Sequence, residues 1–193
     1  MTRICIFCGS STGTRPTYAD AARAMGQAML RRRIGLVYGG GNVGLMGTVA
    51  DTVMQGGGEV IGVIPEALVT RELAHTDITQ LITVHSMHER KAKMAELSDA
   101  FIAMPGGYGT FEEFCEIITW AQLGLHRKPC GLLNVQGYYD PLLTLFDRAV
   151  AEGFLRPENR RLVIEESEPD RLLQALTNYS PPPTEKWIGR DES

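Results

Sequence analysis

The sequence has 193 residues, of which 44% are hydrophobic and 22% are charged, as in a single folded domain and unlike a disordered or fibrous chain. Its 19 Lys and Arg residues against 23 Asp and Glu give a net charge of −4, which argues against nucleic acid or an anionic membrane as partner and favours a small molecule. No run approaches the roughly 18 apolar residues of a membrane span, and the start MTRICIFCGSS is unlike a signal peptide, so we expect a cytoplasmic protein.

Short β-branched runs alternate with longer helical patterns along the chain, which is typical of βαβ units and a parallel sheet. We predict strands at residues 3–7, 35–38, 59–64, 81–85, 100–104, 129–134 and 162–165. Helical patterns lie at 17–32, 44–55, 87–97, 110–123, 140–152 and 169–178. Because most strands are almost entirely apolar, both faces of the sheet should be covered. We therefore expect an α/β, Rossmann-like, doubly wound fold with a mainly parallel sheet of about seven strands and helices on both faces.

These elements fill residues 1–180, which we interpret as a single domain. Residues 181–193 open with three consecutive prolines and are expected to form an extended tail. Near the other end of the chain, Cys5 and Cys8 form a C-x-x-C pair. No second such pair or pair of histidines completes a set of four metal ligands, so we expect buried structural thiols and no metal site.

Many glycines lie where a predicted strand ends and a helix begins, in CGSSTG (8–13), GGGNVGLMG (39–47) and PGGYGT (105–110). In an open parallel sheet these turns share one edge, where ligands bind. Glycine lets a ligand approach the backbone closely, and the following helix N-terminus offers N–H groups to a phosphate. Three such turns together favour a nucleotide-like ligand, and we therefore interpret residues 1–180 as a nucleotide-binding domain.

The predicted helix at 87–97 carries two cations on its apolar face. The apolar residues recur at helical spacing, at Met87, Met94 and Leu97. Arg90 and Lys91 lie three and four residues after Met87, on the same side. Because an unpaired buried cation is very costly, these side chains either pair with acidic groups of the protein or face a cleft that binds an anion.

The next helix begins, on sequence grounds, with Thr110. Thr110 and Glu113 have the spacing of a capping box, which gives Glu113 a structural role as the third helical residue. The same geometry permits a functional role. If the helix N-terminus holds a phosphate, the Glu113 carboxylate lies a few ångströms from the attached sugar.

Taken together, these motifs closely resemble the Lonely Guy family, the cytokinin riboside 5′-monophosphate phosphoribohydrolases, formerly mislabelled as lysine decarboxylases. The similarity rests on GGGNVGLMG (39–47) and PGGYGTFEE (105–113), with MHERK (87–91) between them. It extends from about Ile4 to Asp147 and includes CGSS (8–11) and YDPLL (139–143).

The resemblance implies hydrolysis of the N-glycosidic bond of an N6-modified adenosine 5′-monophosphate, or of AMP itself, with Arg90 and Glu113 as the catalytic pair. A fixed carboxylate suits this chemistry because cleaving a ribosyl C–N bond builds oxocarbenium charge on the sugar. Arg90 is expected to bind ligand oxygens and to favour the ionised form of Glu113. The family's substrate-binding positions correspond to Glu72, Lys91, Gly107, Tyr108, Gly109, Thr110 and Thr119. From the same motifs we add Ser10, Gly40, Gly41, Met87 and Gly106.

Other interpretations are weaker. Gly39, Gly41 and Gly44 spell G-x-G-x-x-G, with Glu66 placed as in a dinucleotide site, but this pattern normally follows the first strand of its unit. Pyridoxal phosphate would need a Schiff-base lysine, and only Lys91 lies near a motif. A non-enzymatic carrier, similar to molybdenum-cofactor carriers, would not need both Arg90 and Glu113. We expect no cofactor.

The helix at 110–123 is apolar around most of its circumference. One face of a sheet cannot bury all of these side chains, so either another part of the chain or a second subunit covers the rest. The family resemblance favours a homodimer with the active site near the interface.

Overall fold

The computed structural model describes residues 1–69 and 74–182, and within them seven parallel strands form one sheet. The strands are β1 (Arg3–Phe7), β2 (Gly35–Tyr38), β3 (Val60–Pro65), β4 (Gln80–Val84), β5 (Ala100–Ala103), β6 (Cys130–Leu133) and β7 (Val163–Glu166). Their order across the sheet is β4-β3-β2-β1-β5-β6-β7. This confirms the expected fold. Of the expected tail, only residues 181 and 182 are described.

The helices agree closely with the periodic patterns in the sequence. They are α1 (Pro16–Arg31), α2 (Gly44–Gln55), α3 (Met87–Leu97), α4 (Tyr108–Gln122), α5 (Asp140–Ala151), α6 (Pro157–Arg160) and α7 (Pro169–Thr177). The single turn α6 was not predicted, because four residues carry no measurable periodicity. The prediction that α4 starts after an N-cap at Thr110 is wrong: Gly107 is the N-cap, and Thr110 is the third residue of the helix.

Each face of the sheet carries its own hydrophobic core. Because side chains alternate along a strand, Ile4 and Ile6 pack beneath α1, α2 and α7, whereas Cys5 and Phe7 pack beneath α3, α4 and α5. Burying such a side chain contributes about 1.5–3 kcal/mol, so the apolar run of β1 stabilises both layers. The edge strand β4 departs from the expectation that strands are covered on both faces, since Gln80 and Thr83 are exposed.

The order of the strands reverses between β1 and β5, which places a crevice at the carboxyl ends of these two strands. The turn after β1 contacts the turn after β5 through the Gly9 N–H, which donates to the Pro105 carbonyl at 3.0 Å. It also contacts the turn after β2, because the Leu45 N–H donates to the Gly9 carbonyl at 3.0 Å. The three glycine-rich turns therefore meet at one edge of the sheet, as predicted.

Candidate active site

A cavity of about 300 Å³ opens at this crevice. Three turns supply its walls, together with side chains of α3 and α4. Of the residues predicted for the site, it is lined by Ser10, Met87, Arg90, Gly107, Tyr108, Gly109, Thr110 and Glu113. The structure thus brings the proposed catalytic pair, one from each of two helices, to the same cavity.

Arg90 projects from α3 towards the sheet and is only 5% exposed. Its Nε donates to the Val63 carbonyl at 3.0 Å and its Nη2 donates to the Gly39 carbonyl at 2.7 Å. Its Nη1 lies 3.7 Å from the sulfur of Met87. These hydrogen bonds to carbonyls offset part of the cost of burying the charge. Because they run in two different directions, they also fix the plane of the guanidinium group. Arg90 is therefore a preorganised cation in the cavity wall.

Glu113 lies on the second turn of α4 and is partly buried. Since Thr110 is not the N-cap, the expected capping box between Thr110 and Glu113 does not form. Glu113 and Cys8 both line the cavity. Burial first, and then this carboxylate, raises the pKa of the Cys8 thiol well above its usual range. Glu113 is therefore a cavity-lining carboxylate whose charge acts on a neighbouring buried group.

The turn between β5 and α4 presents backbone to the cavity. The first N–H groups of α4, which starts at Tyr108, have no carbonyl partner within the helix. A Cβ atom added at Gly107 or at Gly109 would meet no atom within 4 Å. These two glycines therefore leave open space next to unpaired N–H groups, which is the arrangement that binds a phosphate.

The turn after β2 is held from below by two buried polar side chains, Tyr38 and His75, and by the exposed Asp51. The Tyr38 hydroxyl lies 3.1 Å from His75 Nδ1, and His75 Nε2 lies 3.3 Å from an Asp51 carboxylate oxygen. The backbone N–H of His75 donates to the Gly40 carbonyl at 2.9 Å. The Gly40 carbonyl is therefore hydrogen-bonded to another part of the backbone. This contact fixes the turn next to Gly39, whose carbonyl accepts the hydrogen bond from Arg90.

Other predicted substrate-binding residues lie away from the wall of this cavity. Lys91 pairs with Glu112 and Glu116 of α4, with Nζ at 2.5 and 2.9 Å from their carboxylate oxygens. Thr119 is exposed, and its hydroxyl donates to the carbonyl one turn earlier. Gly40 and Gly41 lie buried behind the wall, Gly106 lines an adjoining cavity, and Glu72 falls outside the described residues.

Sequence reasoning missed most of the apolar lining of the cavity. The wall includes the thioethers of Met46 and Met94, the side chain of Leu68 and the end of β1 at Phe7. At its rim, Tyr108 is 93% exposed and Met87 is 41% exposed. The position of Met46 inside a glycine motif was a usable indication, but nothing local distinguishes Leu68 or Phe7 from ordinary core residues.

The cysteines behave as core residues. Cys5, Cys8 and Cys130 are buried and Cys115 is partly buried, all as free thiols. Burial raises the pKa of Cys130 to about 12, which disfavours the reactive thiolate. Across residues 1–69 and 74–182, no group of three or more His, Cys, Asp or Glu side chains is arranged to hold a metal ion. Over the same residues, no helix is long and apolar enough to cross a membrane.

Fold and site together define a Rossmann-like α/β protein in which an arginine and a glutamate share a cavity with the N-terminus of a helix. The sequence model of a family described as "Possible lysine decarboxylase" matches residues 46–176. Cytokinin riboside 5′-monophosphate phosphoribohydrolase LOG7 of Arabidopsis thaliana is 55% identical over 179 residues, which are 93% of this chain and 82% of that protein. The probable phosphoribohydrolase LOGL1 of Oryza sativa subsp. japonica is 54% identical over 178 residues, 92% and 80% of the two chains. The chain belongs to the family of cytokinin riboside 5′-monophosphate phosphoribohydrolases.

Solved structures with the same fold are more distant in sequence. The molybdenum cofactor binding protein of Rippkaea orientalis is 20% identical with a TM-score of 0.68, and the match covers 91% of this chain and 95% of that one. The molybdenum cofactor carrier protein of Chlamydomonas reinhardtii is 18% identical with a TM-score of 0.68, covering 91% and 96%. At such identities these likenesses establish the fold.

Proposed function

We propose that the protein hydrolyses the N-glycosidic bond of an adenosine 5′-monophosphate, plain or N6-modified, and releases the free base and ribose 5-phosphate. The observation that carries the proposal is the meeting of Arg90 and Glu113 in one cavity beside the N-terminus of α4. Relatives named as phosphoribohydrolases, at 54–55% identity over most of the chain, support the same reaction. They also favour an enzyme over a carrier.

In this proposal the 5′-phosphate binds at the N-terminus of α4, where Gly107 and Gly109 leave room for it. Water adds its oxygen to the sugar C1′ as the C1′–N bond breaks, and the base leaves with a proton. Positive charge develops on the ribose during this step. Glu113, one and a half turns into the same helix, is placed to stabilise that charge or to orient the water.

Arg90 is proposed to bind ligand oxygens and to keep Glu113 in its charged form. The support is its rigid attachment: two carbonyls, of Val63 and Gly39, hold the guanidinium in the cavity wall. A cation preorganised in this way needs no rearrangement when charge develops in the substrate. The planar fork of donors, unlike a lysine ammonium, suits recognition of paired oxygens.

The family description as lysine decarboxylase does not fit the residues of this site. A pyridoxal phosphate enzyme needs a lysine that forms a Schiff base. Lys91 pairs with two glutamates, Lys93 pairs with Glu96, and Lys128 donates to the Ala95 carbonyl. None of these three lysines, which are those in the described part of the chain, lines the cavity.

The proposal is tested by incubating the protein with AMP and with isopentenyladenosine monophosphate and measuring free base by chromatography. Adenosine, which lacks the phosphate, should be a poor substrate. Glu113→Gln preserves shape and removes the charge, so we expect kcat to fall by about 10²-fold or more in a protein that still folds. Arg90→Lys should also cause a large loss. Glu158→Gln, an exposed carboxylate of α6, is the control, and wild-type turnover by folded Glu113→Gln would exclude the catalytic assignment.

We further propose that the working unit is a cytoplasmic homodimer of the domain formed by residues 1–180. Helix α4 buries one stripe against the sheet and leaves the side chains of Ile118 and Trp120 partly exposed. Just beyond it, Leu123 and Leu125 are 56% and 70% exposed, next to a surface cavity of about 410 Å³. This apolar surface fits a second copy of the chain. The four free thiols support a reducing compartment.

The dimer is tested by light scattering, which should give at least twice the chain mass of 21.2 kDa. Leu125→Asp places a charge in the proposed interface and should yield monomers. Phe154→Asp alters a still more exposed apolar side chain after α5 and should leave the mass unchanged. A fully active wild-type monomer would exclude the dimer.

A further inference from the structure

Two adjacent tyrosines, Tyr138 and Tyr139, contact the turn that precedes α4, although they lie more than 30 residues further along the chain. They precede α5 and include the start of the YDPLL motif, to which the proposed reaction gives no role. The Tyr138 hydroxyl donates to the Gly106 carbonyl, and the Tyr139 hydroxyl donates to the Met104 carbonyl at 2.7 Å. Both side chains therefore act on the backbone of the glycine turn.

The tyrosines are themselves firmly placed. Asn134 accepts a hydrogen bond from the Tyr139 N–H at 2.8 Å, and the Asn134 amide nitrogen donates to Asp140 at 2.7 Å. The ring of Tyr138 packs edge-on against Tyr18 with centroids 5.8 Å apart, and against Tyr139 with centroids 5.1 Å apart. Because rings and backbone fix both side chains, their hydroxyl groups have defined directions.

Every carbonyl of the turn from Met104 to Gly106 is consequently occupied. Met104 and Gly106 accept from the two tyrosines, and Pro105 accepts from the Gly9 N–H at 3.0 Å. In a trans peptide the carbonyl and the N–H of the next residue point in opposite directions. Holding the Gly106 carbonyl therefore sets the direction of the Gly107 N–H.

Gly107 lies in the wall between two cavities. Tyr138 and Gly106 line the smaller one, of about 260 Å³, whereas Tyr108 and Thr110 line the candidate active site. Since the Gly106 carbonyl faces Tyr138, the Gly107 N–H is directed to the opposite side, towards the active site. We propose that Tyr138 is a positioning residue that aims the Gly107 N–H at the phosphate of the substrate; this inference rests on the proposed function.

The neighbouring tyrosine provides a matched control. Tyr139 holds the Met104 carbonyl, but the next residue is Pro105, which has no N–H to direct. Tyr138→Phe and Tyr139→Phe each remove one hydroxyl, and both keep the ring packing. Only the first should affect phosphate binding, whereas the second, at a buried position, should lower the stability at least as much.

The experiment compares kcat and KM of both variants for AMP and for adenosine, and measures binding of ribose 5-phosphate by calorimetry. Tyr138→Phe should raise KM for AMP and weaken ribose 5-phosphate binding by roughly tenfold, with kcat within about threefold and adenosine unaffected, because uniform binding is lost. Tyr139→Phe should keep the preference for AMP over adenosine. Equal effects of the two variants, or normal AMP kinetics in Tyr138→Phe, would overturn the inference. If the wild type fails to hydrolyse AMP while Tyr138→Phe still weakens ribose 5-phosphate binding, the proposed function fails and the positioning role stands.

Discussion

The two glycine-rich turns that carry the family motifs use glycine for different reasons. In the turn after β2, a Cβ atom at Gly39 would lie 2.1 Å from Arg90 Nη2, and one at Gly44 would lie 2.3 Å from the Ser10 carbonyl carbon. In the turn before α4, Cβ atoms at Gly107 and Gly109 would meet nothing within 4 Å. Protein atoms fill the space beside the first pair, and the cavity lies beside the second.

This difference separates two roles that look identical in the sequence. The turn after β2 is packed, and its carbonyls at Gly39 and Gly40 hold Arg90 and His75. It therefore positions the protein's own cation. The turn before α4 directs its N–H groups outwards and leaves room, so it is suited to a ligand. Substitutions at the two turns should consequently divide between loss of stability and loss of binding.

The largest effect is expected for Gly39→Ala. The new methyl group must displace the Arg90 guanidinium, so we expect kcat to fall by about 10²-fold and overpacking to cost about 1–3 kcal/mol of stability. Gly131→Ala is the control, because its Cβ would lie 2.8 Å from Leu172, far from Arg90. It should lose stability and keep activity. Comparable activity in the two folded variants would show that Gly39 does not position Arg90.

Two neighbouring cations of α3, Arg90 and Lys91, extend the same contrast. Arg90 is held by backbone carbonyls, whereas Lys91 is held by the carboxylates of Glu112 and Glu116. Desolvation lowers the pKa of the Lys91 ammonium group, but the hydrogen bonds and charges of the two carboxylates outweigh it, so the pKa is raised. If Lys91 binds substrate, as the family resemblance implies, Lys91→Met should raise KM for AMP by roughly tenfold and leave adenosine unaffected. Glu116→Gln frees Lys91 from one partner and should not raise KM.

Steady-state kinetics of the two variants decides the role of Lys91. A lysine that serves only to join α3 to α4 predicts the opposite pattern. Lys91→Met and Glu116→Gln would then lower stability by similar amounts and would change kcat together, without any preference for the phosphorylated substrate.

A smaller effect on activity, with the opposite sign for stability, is expected for Gly109→Ala. An alanine inside a helix is more favourable than glycine by roughly 0.5–1 kcal/mol, and no protein atom opposes the new methyl group. The methyl group enters the space assigned to phosphate, so kcat/KM for AMP should fall about fivefold. Thermal unfolding and kinetics are measured together, with Gln122→Ala at the other end of α4 as control. A stabilised variant with unchanged kinetics would place the phosphate elsewhere.

The smallest effect concerns acid stability and leaves both turns untouched. Burial, together with the charge of Lys128, outweighs the hydrogen bond to the Ile117 carbonyl and lowers the pKa of His126 below its usual 6.5. The folded state thus keeps this histidine neutral, and its contribution to stability is present above pH 6.5 and is lost as the pH falls through the lowered pKa. Urea unfolding between pH 7.5 and 5.5 should show a decline that His126→Gln reduces. The preference for AMP over adenosine should not change in that variant.

Much of the molecule could be predicted because local patterns determine it. Most of the seven strands follow from apolar runs, and the inward direction of Arg90 follows from its spacing to Met94 on α3. The start of α4 was predicted wrongly, because Tyr108 and Gly109 are weak helix formers and Thr110 is a strong N-cap residue. The hydrogen bonds from Tyr138 and Tyr139 to the carbonyls of Gly106 and Met104 could not be predicted, because they join residues more than 30 positions apart.

By itself the sequence determined which turns contain glycine, which helix faces are apolar and which residues match the family's catalytic pair, since periodicity and motif spacing act within about ten residues. Only the tertiary structure decided what lies beside each glycine. Gly39 meets Arg90 from 51 residues away, and Gly106 meets Tyr138 from 32 residues away. Such contacts depend on how the strands are ordered and the helices are packed. For this reason the turn after β2 packs against a side chain of the protein, whereas the turn before α4, of similar composition, borders an open cavity.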